Sequence, residues 1–335
     1  MFFRSLSSAV PERAWSQAEC WQVLRDAPAV QALKPRSQTL LEKVLLGSNG
    51  IQTRHLCADD LKPLLCRDAQ ALNETFEAHA PKLAAEALRS AFAKAEIDTV
   101  DALFVCTCTG YLCPGLTSYV AESVGLPAST ALLDISGAGC GAALPTLRAA
   151  CHYLAAHPTH RAAVVAVEVC SAAFYLNDDP GVLISLCLFG DGAAALVLDG
   201  EEVRRQDQRF HNFRTLHVPE EREKIRFINR EGRLCNQLHR AVPEIAASSV
   251  EQLYPGKQTK LISHAGGRDV LEAIRTRLPD QELAEASQVL LHRGNCSSPS
   301  VLMALEHALH QQAEPENLWL TSFGAGFACH GCQLS

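Results

Sequence analysis

The sequence predicts an α/β fold whose sheets are covered on both faces. Short, nearly continuous apolar runs at 102–106, 162–168 and 193–198 alternate with segments carrying apolar residues at helical spacing. Strands buried on both faces read as unbroken apolar runs, and helices between them cover a parallel or mixed sheet. The same grammar restarts after residue 238, so a second α/β unit follows the first. The polar stretch 199–212 is the best boundary, giving expected halves 1–205 and 206–335.

Residues 1–40 are poorly periodic and contain Pro11, Pro28 and Pro35. The stretch 15–33 is helical in part, with Ser16 near its start and Pro28 interrupting it. A long helix is expected over 73–95, because Phe76, Leu83, Ala84, Ala87, Leu88, Ala91 and Phe92 share one face. Pro81 should kink or restart it. A strand at 102–106 and a helix at 116–124 follow, the latter stopped by Gly125-Leu126-Pro127. Residues 131–135 form a strand that breaks into glycines. The helix 142–156 has mostly small residues, as suits a core position, although Pro145 should delay or bend it. Strands at 162–168 and 193–198 complete the first half. The second half is expected as helix 242–253, strand 260–263, helix 269–278, helix 282–286, strand 289–291, helix 298–311 and strands 317–322 and 327–334.

Composition excludes several classes. At 335 residues and 47% hydrophobic, the chain can build one large double-core unit or two domains. A net charge of −7 leaves no concentrated basic face for nucleic acid. Arg204, Arg205 and the basic residues of 222–226 are mixed with acids and read as solvated surface. Fourteen cysteines raise a disulfide scaffold. The chain is too long to need one, and its first residues lack a signal-peptide core before Pro11 and Glu12. Cys106 and Cys187 also lie in apolar runs, where a thiol behaves as a small hydrophobe. Cys329 and Cys332 flank His330, but no second pair has matching spacing, so no metal is expected. No apolar run reaches membrane-spanning length. The expectation is a reduced, cytoplasmic protein.

Three residues carry the expected chemistry. Cys140, His264 and Asn295 each follow an apolar run, and each sits in a glycine-containing turn. All three are expected to leave buried strands, where a scaffold presents reactive groups. A thiolate nucleophile needs a charge partner, and an acyl substrate needs donors for its developing oxyanion. A cysteine at a strand-to-helix turn is favoured as thiolate by the helix terminus and a nearby imidazolium. The competing readings are a buried structural thiol, a core histidine and a turn asparagine. His217, His239 and His307 lie in polar or helical contexts.

These residues sit in motifs that resemble the type III polyketide synthases, the chalcone-synthase-like branch of the thiolase superfamily. The resemblance runs from about Leu40 to the C-terminus. Its motifs are Val-Cys-Thr-Cys-Thr-Gly-Tyr-Leu-Cys-Pro-Gly (105–115), the Cys140 turn, Leu-Phe-Gly-Asp-Gly-Ala-Ala-Ala (188–195), Ser-His-Ala-Gly-Gly (263–267), Gly-Asn-Cys-Ser-Ser (294–298) and Ser-Phe-Gly-Ala-Gly-Phe (322–327). It implies the thiolase fold, a duplicated five-layered α-β-α-β-α architecture. It makes Cys140 the nucleophile, ion-paired with His264. His264 helps decarboxylate malonyl units, and Asn295 is the second oxyanion donor. Phe189 matches a gatekeeper between access tunnel and reaction cavity. The second gatekeeper falls on Asn236 or Cys235, a smaller or polar residue that should widen the passage. Cys108, Thr109, Cys113, Cys170, Ala173 and Ser297 match substrate-binding positions, and the cysteines give a bacterial-type cavity. The loop 111–114 resembles one that reaches into a partner's cavity, which implies a homodimer.

The resemblance implies no cofactor, with acyl-CoA and malonyl-CoA as substrates. The basic residues that usually meet coenzyme A phosphates are replaced by Leu41, Val44 and Ser48, leaving Lys43 and Arg54 as nearby substitutes beside Gly266 and Gly267. Ala325 departs from the family's Gly-Phe-Gly-Pro-Gly loop, and residues 327–331 are reminiscent of ketoacyl-carrier-protein synthase III. Delivery by an acyl carrier protein therefore stays open. The expected reaction is decarboxylative Claisen condensation, repeated and closed by cyclisation to a phenol, resorcinol or pyrone. A single condensation of the synthase III kind is the rival enzyme, disfavoured by Ser297-Ser298 and Gly266-Gly267. A degenerate homologue acting within an assembly would have lost Cys, His or Asn. Cysteine hydrolases also use these three residue types, but with different local sequences.

Overall fold

The computed structural model describes residues 1–202, 208–256, 258–311 and 317–335. The chain starts with β1 (Phe2–Ala9), β2 (Ala14–Ser16), α1 (Gln17–Leu24), α2 (Pro28–Gln31), α3 (Pro35–Leu46) and β3 (Thr53–His55). Ser16 begins α1 through a capping box with Glu19, which satisfies two otherwise orphaned N–H groups. Next come α4 (Ala69–Ala95), β4 (Ala102–Cys106), α5 (Leu116–Val124), β5 (Ala131–Ile135), α6 (Ala143–Ala156) and β6 (Arg161–Glu168). Then α7 (Pro180–Leu188) and β7 (Gly192–Asp199) close the first series.

Four of these elements revise the expectations. β1 was hidden by its small polar residues, yet it pairs antiparallel with β7 along its length. α4 is one helix with Pro81 inside it. Losing one N–H bond is outweighed by its long buried face, which includes Ala80, Leu83, Ala84, Ala87, Leu88 and Phe92. α6 begins at Ala143, so Pro145 falls in its first turn, where no intrahelical N–H is needed. β5 is an edge strand with both faces open to solvent, not a buried one.

The second series runs β8 (Phe210–His217), β9 (Ile225–Arg230), β10 (Arg233–Leu238), α8 (Val242–Leu253), β11 (Lys260–Ser263), α9 (Arg268–Arg277), α10 (Ala284–Arg293), α11 (Ser300–Gln311), β12 (Leu318–Gly324) and β13 (Ala328–Leu334). The expected helix 282–286 and strand 289–291 are a single helix, α10. Its buried Ala286, Val289 and Leu290 recur at helical spacing, and that periodicity overrode the apolar run. The expected boundary at 205/206, with Arg204 and Arg205, lies outside the described residues.

One sheet has the order β1-β7-β6-β4-β5 and the other β11-β12-β13-β8. In the first, β4 is parallel to β5 and β6, and β7 is antiparallel to β6 and β1. In the second, β11 is parallel to β12, and β13 is antiparallel to β12 and β8. Thus β8, β13, β12 and β11 repeat β1, β7, β6 and β4 in order and sense, and the duplication is topological.

Strand alternation sorts the core. Phe104, Val164 and Leu196 point to one side, against Leu144 and Leu147 of α6 and Val301 and Leu305 of α11. Leu103, Val105, Val165 and Val197 point to the other, against Leu88 and Phe92 of α4 and Val120 of α5. Trp319, Leu320 and Leu334 of the second sheet join the α6/α11 side. With α8 packed on β13 and β8, and α9 on α8, the order is helices, sheet, helices, sheet, helices. This is the five-layered thiolase fold. Outside the layers, α1, α3 and α7 pack through Cys20, Leu24, Leu41, Leu45, Leu183 and Leu186. The β9–β10 hairpin lies against α7.

Candidate active site

A cavity of about 870 Å³ opens where α3, α7, the β9–β10 hairpin and the start of α9 meet. Cys140, His264 and Asn295 all line it. Cys140 sits in a single 3₁₀ turn, Gly139–Gly141, between β5 and α6. Gly137 and Gly139 have φ of +90° and +56°, which glycine accepts without strain. The β12–β13 turn presses on this loop. A Cβ on Gly324 would lie 2.6 Å from the Gly141 nitrogen and 2.9 Å from the Cys140 nitrogen.

Ser297 Oγ donates to Cys140 Sγ at 3.2 Å and also faces Cys108 Sγ at 3.3 Å. Behind it stands Glu168, fully buried at the end of β6. Its carboxylate accepts from Ser298 Oγ (2.6 Å), Thr109 Oγ1 (2.8 Å), Thr107 Oγ1 (3.2 Å) and the backbone N–H groups of Cys108 (3.0 Å) and Thr109 (3.1 Å). Ser297 Oγ lies 3.4 Å from it. Burial raises the Glu168 pKa, and these hydrogen bonds work against that. The sequence reading missed Glu168. Its signal was a lone acid closing the apolar run 162–167.

Burial pushes the Cys140 thiol up to about 11. The Ser297 hydrogen bond lowers it and the Glu168 charge raises it. Burial likewise pushes His264 down to about 3. The expected low thiol pKa is thus not a property of Cys140 alone. α6 begins three residues later, so its terminus does not abut the sulfur. Each charge is disfavoured singly by burial. His264 is held by its N–H to Thr321 O (2.9 Å) and by the edge-on ring of Phe323 at 5.2 Å. Its Nδ1 is shut away from solvent without a partner among the described residues.

Asn295 follows the helix α10, not a strand, so of the three only His264 leaves a buried strand. Its backbone bridges Phe189, through Asn295 N–H to Leu188 O (2.9 Å) and Gly190 N–H to Asn295 O (3.1 Å). Its Oδ1 accepts from the Ser297 N–H at 2.8 Å, which fixes the amide orientation. Nδ2 donates to Gly266 O at 3.2 Å and keeps a second hydrogen for a ligand. The arrangement offers a nucleophile, a proton carrier and a neutral donor around one space, as acyl transfer through an oxyanion requires.

A family model of the FAE1/Type III polyketide synthase-like protein matches residues 13–252. The chain belongs to this family. It is 30% identical over 361 residues to the alpha-pyrone synthesis polyketide synthase-like Pks18 of Mycobacterium tuberculosis, covering 97% of this chain and 88% of the relative. It is 28% identical over 338 residues to 1,3,6,8-tetrahydroxynaphthalene synthase of Streptomyces griseus, covering 95% and 88%. In fold it resembles the tetrahydroxynaphthalene synthase structure from Streptomyces coelicolor, with TM-score 0.86 at 24% identity over 100% of this chain and 99% of that one.

In this type III polyketide synthase, Phe189, Thr109, Cys170, Ala173, Asn236, Ser297, Gly266, Gly267 and Lys43 line the cavity. Cys108 does not line it, and its sulfur faces Ser297 Oγ, which does. Of the two gatekeeper candidates, Asn236 lines the cavity and Cys235 does not; neighbours on β10 point to opposite sides. Cys113 is exposed, away from the cavity of its own chain. Arg54 is a correction. Its buried guanidinium donates to Gln17 Oε1 (3.0 Å), Leu186 O (2.7 Å) and Phe189 O (2.8 Å), so it anchors the Phe189 backbone and cannot meet a phosphate. The cavity rim instead carries Arg226, Arg240 and Arg268 with Lys43. Arg226, grouped with solvated surface in the sequence reading, is thus beside the opening.

Proposed function

We propose that this chain condenses malonyl-CoA units onto an acyl starter held on Cys140 and cyclises the product. The observation that carries this reading is Cys140, His264 and Asn295 around one cavity guarded by Phe189. In loading, Cys140 Sγ gives its proton to His264 and attacks the acyl-CoA carbonyl. The coenzyme A thiolate leaves and takes that proton. Malonyl-CoA then loses carbon dioxide, while Asn295 Nδ2 and His264 bind the enolate oxygen. The enolate carbon attacks the acyl group on Cys140, the carbon–sulfur bond breaks, and the chain is two carbons longer on coenzyme A. Transfer back to Cys140 allows another round.

Cys140 comes from the proposed first half, 1–205, and His264 and Asn295 from the second, 206–335, so the halves act across their junction. A homodimer fits the exposed surface. Leu132 and Leu133 on the edge strand β5 are 43% and 48% exposed, and Tyr111 is 80% exposed. The loop 111–114, with Cys113, would then reach the partner. Fourteen unpaired thiols suit a reducing, cytoplasmic setting.

The test is incubation with malonyl-CoA and a panel of acyl-CoA starters, with products read by mass spectrometry. The reading expects carbon dioxide release and cyclised products in the parent and no condensation product in Cys140→Ala. Condensation that persists in Cys140→Ala, or condensation that always stops after one step, counts against it.

A further inference from the structure

Asn236 occupies the position expected to be a mere widening of the passage, yet its amide is held in one orientation. Ser185 Oγ donates its only hydrogen to Gly181 O at 2.6 Å. It can therefore only accept from Asn236, whose Nδ2 is bonded to it. The flip of the carboxamide is settled by this chain of donors. Asn236 Oδ1 is left without a partner among the described residues. Both side chains line the cavity, where Ile184, Leu188, Phe227 and Leu238 give apolar surroundings. A lone, pre-oriented acceptor on an apolar wall selects a ligand with an N–H or O–H at that depth.

The helix α7 sets the depth. Asp179 and Pro180 at its outer end are exposed and line the cavity. Phe189, just past its inner end, bridges Asn295. Ser185 is four residues before Phe189, about 6 Å back along the helix axis toward the surface. The Ser185–Asn236 pair thus stands between the opening and the reacting atoms. That stretch holds the arm of an incoming thioester rather than the acyl group being joined.

We propose that Asn236, oriented by Ser185, positions the pantetheine arm of the incoming thioester by accepting a hydrogen bond from one of its amide N–H groups. This rests on the thioester chemistry proposed above and adds the residue that sets the arm's depth.

The test uses malonyl-pantetheine and an analogue with esters in place of both amides. Binding is read by calorimetry in Cys140→Ala, so the result stands whether or not the parent condenses. The Cys140→Ala protein should favour the amide ligand by about fivefold to tenfold, the worth of one hydrogen bond. Adding Asn236→Leu should bring the two ligands within about twofold. Adding Asn236→Asp, which keeps an acceptor, should retain the preference. In the otherwise unaltered enzyme, Asn236→Leu should raise KM for malonyl-CoA and leave kcat within about twofold. An amide preference that survives Asn236→Leu, or one lost equally in Asn236→Asp, overturns the proposal. Failure of the broader reading shows separately, as a parent that releases no carbon dioxide.

Discussion

Three side chains set the state of Cys140, the proposed nucleophile. Burial raises the Cys140 thiol, Glu168 raises it further, and Ser297 lowers it. Glu168→Gln removes a negative charge at nearly constant shape, so the thiol pKa should fall and iodoacetamide should alkylate Cys140 faster at fixed pH. Ser297→Ala should do the reverse. His264→Ala removes the imidazole proposed to carry the thiol proton as a partner charge, so the alkylation profile should move to higher pH, away from the usual thiol value of about 8.5. The rates are read by mass spectrometry of the Cys140 peptide. Rates indifferent to all three substitutions would contradict this electrostatic account. Cys140, His264 and Asn295 were legible because each lies in a short motif. Glu168 was not, since its partners at 107–109 and 297–298 come from distant segments that only the fold brings together. Arg54 was misjudged for the same reason: a sequence does not show that an arginine's guanidinium is buried against carbonyl oxygens of other segments.

The elements around the site depend on close approaches. Gly324 lets the β12–β13 turn lie on the backbone of Cys140 and Gly141. Gly324→Ala should displace the nucleophile turn, costing roughly 1–3 kcal/mol of stability and most of the activity. Thermal unfolding and malonyl-CoA decarboxylation measure the two effects; normal values in both would show that the contact is slack. Farther out, Pro81 removes one hydrogen bond inside the exposed-and-buried helix α4. Pro81→Ala should therefore stabilise the chain by about 1–3 kcal/mol, seen as a higher Tm. A lower Tm would mean that the packing of α4 is built around the proline. Strands of unbroken apolar residues, such as β4, β6 and β7, were legible to within one residue at each end. β1 was not, because its partner β7 lies far along the chain. α10 was split in two because an apolar triplet, Val289 to Leu291, satisfies strand and helix patterns alike over so short a span.

At the scale of the whole molecule, the repeated strand order brings the nucleophile turn of one series against the histidine and asparagine turns of the other. The repeat shows in the sequence as a restart of the strand–helix grammar after residue 238 and not as repeated residues, because a shared topology constrains which residues are apolar and not which apolar residues they are. A second α/β unit was legible in that pattern; the five-layered arrangement came through the resemblance. The surface left open by this arrangement is β5, whose Leu132 and Leu133 have no cover. Leu133→Glu should weaken the proposed homodimer, shifting the mass measured by light scattering toward one chain of 36.3 kDa. A parent already monomeric at working concentration, or a dimer indifferent to the charge, would place the interface elsewhere or remove it.

The central claim is that Cys140 carries the growing chain, and acyl loading measures it most directly. After brief exposure to an acyl-CoA starter, intact-protein mass should rise by one acyl group, and digestion should locate that group on the peptide containing Cys140. Cys140→Ala, folded as judged by circular dichroism, should gain nothing. An acyl group found on another of the fourteen cysteines, or retained in Cys140→Ala, would contradict the account.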